Sequence, residues 1–65
     1  MTLQQIKYAI AIASCNSFNK ASEKLYISQP SLTSSIHDLE DELGFSVFNR
    51  TSRGTRLTER GALFI

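Results

Sequence analysis

The chain holds one cysteine, one proline, three glycines and no tryptophan. Each scarcity excludes something. With Cys15 alone, neither an internal disulfide nor a cysteine-based metal site can form within one chain, and Cys15 reads as a buried structural thiol. No stretch approaches the roughly 20 consecutive apolar residues of a membrane span, and the N-terminus lacks a long apolar segment. An intracellular, cytoplasmic protein with no membrane partner is the expectation. Gly44, Gly54 and Gly61 stand apart, at turn or helix-end positions, and form no phosphate-cradling loop. The single histidine, His37, has no Ser/His/Asp arrangement around it, which argues against an enzyme. At 65 residues the chain is one small domain. Such a domain buries only about 60% of the surface its unfolded chain exposes and is marginally stable.

What is present is a helical pattern with one unusual stretch, Ser28 to Gly44. Leu32, Ile36, Leu39 and Leu43 recur at i, i+4, i+7 and i+11, an apolar stripe at the helical period. Ser28 suits the N-cap, Pro30 suits the first turn, where a missing N–H costs little, and Gly44 suits the position past the last turn. The other face is divided. Its first half is short and uncharged: Gln29, Ser31, Thr33, Ser34 and Ser35. Its second half carries Asp38, Glu40, Asp41 and Glu42. A helix whose outer first turns offer small hydrogen-bonding groups can press closely against another surface.

Two helices precede it. Thr2 and Gln5 form a capping-box pattern, and Leu3, Ile6, Ile10 and Ala13 share a face that Tyr8, Ala9 and Ile12 widen. Asn16 ends this helix and Ser17 caps the next, which runs from Phe18 to Leu25 with Phe18, Ala21 and Leu25 inward. Lys20, at its N-terminal end, can meet a phosphate beside free backbone N–H groups, or can be a plain surface lysine. Ile27 plugs the corner before Ser28. Two helical turns, a short break and a longer helix form the arrangement of a helix-turn-helix, although any three-helix bundle shares it.

After Gly44 the period changes. Phe45, Val47 and Phe48 are β-prone, and the polar run from Asn49 to Arg56 contains a turn glycine. A two-stranded hairpin is expected near Val47–Arg50 and Thr55–Leu57, with its tip at Thr51–Gly54. Phe48 and Leu57 would lean it on the helices, since an isolated hairpin is unstable in water. Thr58 then caps a last helix, with Glu59 in its first turn. That helix reads as cut in mid-course at Ala62–Ile65, as in a piece of a longer protein. The net charge of +1 hides a separation. Four acids lie in Asp38–Glu42, whereas Arg50, Arg53, Arg56 and Arg60 dominate the last third. Separated charge can orient a protein on an anionic partner, or be only a solvated surface.

Three helices followed by a basic hairpin make a winged helix-turn-helix: mainly α, with a three-helix core, a small two-stranded β-hairpin wing and the start of a linker helix. Here the sequence also resembles the N-terminal DNA-binding domain of the LysR-type transcriptional regulators of bacteria. The resemblance rests on Ser28-Gln29-Pro30-Ser31, Leu39-Glu40 with Leu43-Gly44, Phe48-Asn49-Arg50, Arg53 and Leu57-Thr58-Glu59-Arg60-Gly61, with Leu3, Phe18, Ala21 and Ile36 at matching spacing. It covers essentially the whole chain.

The resemblance implies a winged domain over 1–58, with the helix-turn-helix at 18–37 and the wing at 47–57, and a linker-helix start over 59–65. It implies double-stranded DNA as the partner. Gln29 and Pro30 match residues that reach base edges; an amide pairs with adenine and a proline ring rests on a thymine methyl. Ser31 and Thr33 match hydroxyls that contact phosphate or bases. Arg53 matches the wing arginine of the adjacent minor groove, and Arg50 a position for a phosphate contact or a bracing role. At Ser34 the family often carries a longer side chain; the serine here contacts phosphate or water, or leaves base reading to Gln29 and Thr33, with His37 as a further candidate that reads better as an exposed polar residue beside the acidic half of the helix. The resemblance further implies self-association through the linker helix, and an effector bound by a C-terminal domain rather than any cofactor in this chain. A small helical protein-interaction module without DNA binding is the alternative. It would show no DNA retardation and little salt dependence.

Overall fold

The computed structural model describes residues 1–51 and 54–65. Its first helix, α1 (Leu3–Cys15), starts at the Thr2 capping box, in which the Gln5 N–H donates to Thr2 Oγ1 and the Thr2 N–H to Gln5 Oε1. It ends at Asn16, which adopts the left-handed conformation. Helix α2 (Phe18–Leu25) is capped by Ser17, whose hydroxyl oxygen accepts the Lys20 N–H at 3.1 Å. Helix α3 (Gln29–Leu43) starts at Ser28 and stops at Gly44, whose φ of 80° lies where a side chain is disfavoured. A short α4 (Glu59–Phe64) starts at Thr58, whose hydroxyl oxygen accepts the Gly61 N–H. These starts and stops are local signals, and they fall where the residue types dictate.

The three long helices pack on one another around Ala9, Ile12, Phe18, Ala21, Leu32, Ile36 and Leu39. Leu32, Ile36 and Leu39 are fully buried, so the stripe along α3 is the core face. Ala21 is fully buried in α2, and Ile27 packs against the core from the turn between α2 and α3. Tyr26, just before it, turns the chain in the left-handed region and projects its ring into solvent.

The expected face of α1 is corrected. Leu3 is 68% and Ile10 52% exposed, whereas Ala9 and Ile12 are fully buried. The helix is apolar over so much of its circumference that two stripes compete, and packing against α2 and α3 selects the one through Ala9 and Ile12. Cys15 is half-buried against the core rather than enclosed.

The hairpin pairs β1 (Phe48–Thr51) antiparallel to β2 (Gly54–Leu57), with Phe48 opposite Leu57 and Arg50 opposite Thr55. Val47 lies ahead of the strand, fully buried in the core. Leu57 does not return to the core; it is partly exposed, and Thr55 is the buried residue of β2. The reason is a backbone anchor: the Thr55 N–H donates to the Asn16 carbonyl at 3.0 Å, which turns that part of β2 toward the end of α1.

At the base of the hairpin, the Thr58 N–H donates to the Val47 carbonyl at 2.9 Å and the Thr58 hydroxyl to the Ser46 carbonyl at 2.6 Å. Gly61 is buried here inside α4, not at a helix end. A Cβ at Gly61 would overlap the Val47 carbonyl oxygen and stand 2.9 Å from its carbon. Close passage of two backbones is why glycine occupies this position. The amino group of Met1 forms an ion pair with Glu42, tying the N-terminus to the end of α3.

Candidate nucleic-acid interface

The first turns of α3 face outward. Gln29, Pro30, Ser31 and Ser34 are exposed and Thr33 is half-buried. Gln29, Pro30, Thr33 and Ser34 line one shallow, open concavity with His37, Asp38 and Asp41. The cap orders this end: the Ser31 N–H donates to Ser28 Oγ at 3.2 Å, and the Ser28 hydroxyl donates to Ser31 Oγ at 2.8 Å. Five of the sequence-derived site residues thus share one exposed helix end. The positive end of the helix dipole lies there, and the acids Asp38, Asp41 and Glu42 follow toward the negative end.

Glu40 departs from that acidic block. Its carboxylate Oε2 accepts the N–H groups of Val47 at 2.6 Å and Phe48 at 3.2 Å. It therefore holds the base of the hairpin against α3, where two part-buried donors would otherwise lack a partner. Sequence reasoning grouped Glu40 with the solvated acids. The signal was its position four residues after Ile36, on the flank of the apolar stripe.

Arg50 sits on β1 yet reaches the helices. Its guanidinium carbon lies 3.6 Å from the centroid of the Phe18 ring, and its Nη2 donates to Thr33 Oγ1 at 2.8 Å. Phe18 in turn meets Phe48 edge-on, with ring centroids 5.7 Å apart and planes at 79°. These contacts tie the hairpin to α2 and α3. Phe18 was legible as a core residue; its ring as a seat for an arginine was not, because Phe18 and Arg50 meet only through the tertiary fold.

Asn49 and Arg56 face each other on the opposite, exposed side of the hairpin. Arg53 lies outside the described residues. Lys20 is exposed, but its N–H is already satisfied by Ser17, which removes one of the free groups that a phosphate could have met. Among the described residues no group of His, Cys, Asp or Glu side chains could hold a metal ion, and no helix is long and apolar enough to cross a membrane.

Residues 3–62 match the family described as bacterial regulatory helix-turn-helix protein, lysR family. The chain belongs to the LysR family. Over 65 residues it is 42% identical to the HTH-type transcriptional regulator TfdT of Cupriavidus pinatubonensis, covering all of this chain and 28% of that protein. It is 48% identical over 64 residues to a probable RuBisCO transcriptional regulator of Thalassiosira pseudonana, covering 98% of this chain and 21% of that one. The chain thus spans about a quarter of the length of these curated relatives. Its fold is that of the CbnR_DBD–DNA complex, with a TM-score of 0.93, 38% identity and coverage of 98% of this chain and 74% of that chain. The BenM_DBD/catB site 1 DNA complex matches with a TM-score of 0.92 and 41% identity, over 98% of this chain and 69% of that chain. The matched family model is a helix-turn-helix one, and these curated relatives are described as transcriptional regulators.

Proposed function

We propose that this chain is the DNA-reading domain of a bacterial, cytoplasmic LysR-type transcriptional regulator. The N-terminal half of α3 enters the major groove and the hairpin wing meets the adjacent minor groove. The observation that carries this reading is the likeness to the CbnR domain in complex with DNA, which extends over nearly all of this chain. The exposed, uncharged first turns of α3 support it, because short polar side chains there allow the helix axis to approach base edges.

In this reading Gln29 and Pro30 read bases, Ser31, Thr33 and Ser34 contact phosphate or base edges, and Arg53 enters the minor groove. Arg50 lies near the backbone and braces the wing. Phosphate contacts set register and supply much of the affinity, and base contacts supply discrimination. The acids at the end of α3 lie where the helix leaves the groove. Residues 1–58 form the winged domain and 59–65 begin a linker helix that pairs with its twin in the longer regulator. Leu63, 85% exposed on α4, is an apolar residue suited to such pairing. Two-fold pairing puts half-sites about 34 Å apart, or at multiples of that. No cofactor is held by this chain, and a small-molecule effector binds a separate C-terminal domain.

The direct test is amide chemical-shift mapping with a labelled protein and an AT-rich palindromic duplex. Shifts concentrated at Gln29–Ser34 and in the hairpin support this docking. Shifts confined to α1 and α4 reject it, and an unperturbed spectrum returns the protein to the interaction-module reading.

A further inference from the structure

Thr33 and Ser31 both offer hydroxyls on α3, but their surroundings differ in one respect. Ser31 is paired with Ser28, another hydroxyl, and a hydroxyl pair can reverse its direction. Thr33 is paired with Arg50. A guanidinium only donates and stays charged, so the direction of this bond cannot reverse and the Thr33 oxygen always accepts. The bond is charge-assisted, and accepting it polarises the remaining O–H toward donation. The guanidinium is held in place by the Phe18 ring beneath it, and Phe18 by Phe48. Thr33 meanwhile lines the concavity shared by Gln29, Pro30 and Ser34.

We infer that Arg50 is a positioning residue that occupies one lone pair of the Thr33 hydroxyl and biases its O–H toward donation to DNA, so that Thr33 favours an acceptor there. This rests on the DNA-reading function proposed above. The acceptor is a phosphate oxygen or a purine N7; a position presenting only the cytosine amino group is disfavoured.

The test takes a duplex selected by the full chain from a random-sequence library. Affinities are measured for the wild type, Thr33→Val, Arg50→Met and the double variant, with melting curves to establish that each is folded. Thr33→Val is expected to weaken binding about tenfold in the wild-type background and under about twofold beside Arg50→Met. Arg50→Lys, which keeps a charged donor-only group, is expected to restore most of the Thr33 dependence. Duplexes carrying 7-deazapurines or single methylphosphonates then separate the two acceptor sources: one substitution should weaken wild type and leave Thr33→Val unchanged. Equal Thr33→Val penalties in both Arg50 backgrounds overturn the inference, as does the lack of any analogue whose effect depends on Thr33. If the wild type selects no duplex and binds none, the DNA-reading function itself falls, and this inference with it.

Discussion

Arg50 on β1 and Thr33 on α3 share a hydrogen bond of 2.8 Å, seventeen positions apart in the chain. Phe18 supports the Arg50 end of that link, lying under its guanidinium and against the Phe48 ring. The hairpin and the outer face of α3 are thereby held as one surface. A phosphate backbone and a base edge can then be met in a fixed register.

Phe18→Leu keeps a core hydrophobe but removes the ring. Loss of the edge-on contact and of the cation–π seat should cost about 1–2 kcal/mol. Denaturant unfolding measures the cost, and amide exchange in β1 should rise with it. Unchanged exchange at Phe48 and Arg50 would mean that the ring does not hold the hairpin.

The two faces of α1 give opposite expectations. Ile12→Ala opens a cavity in a small core and should cost about 2–5 kcal/mol, enough to unfold much of so small a domain. Leu3→Ala lies at an exposed position and should stay within about 0.5 kcal/mol. Comparable losses in thermal melts of the two variants would restore the stripe through Leu3 and Ile10.

Gly61→Ala drives a methyl group into the Val47 carbonyl. Backbone cannot yield as a side-chain tip does, so a cost of about 2 kcal/mol is expected, a melting temperature lower by roughly 8–16 °C in a domain of this size. A melting point within a degree of wild type would place α4 farther from Val47.

The sequence carried the helices well, and the reasons are local. Thr2 with Gln5, Ser17, Ser28 and Thr58 each cap through bonds within three residues of themselves. The α3 stripe was legible because a single face is apolar. In α1 the apolar surface is too broad for periodicity to choose between faces. Glu40, Gly61 and the Arg50–Thr33 bond were not legible as structure. Each acts on a group seven or more residues away, through the tertiary fold. The candidate site was visible as residue types at family spacing, whereas its internal wiring was not.

Gln29 is exposed at the start of α3, with its side chain beside the open concavity. Gln29→Ala should weaken binding to a preferred duplex about tenfold and leave binding to a scrambled duplex nearly unchanged. Competition titrations with both duplexes read this ratio. Equal losses on both would assign Gln29 a phosphate contact instead of a base contact.

The central claim is that this surface reads DNA sequence. Its most direct test is fluorescence anisotropy with a labelled AT-rich palindromic duplex and a scrambled control across a salt series. The account predicts affinity that falls steeply with salt, with a slope that Arg53→Ala reduces by up to about one unit, and a preference for the palindrome that persists as salt rises. Equal affinity for the palindrome and the scrambled duplex at every salt concentration, or no binding at low salt, would contradict it.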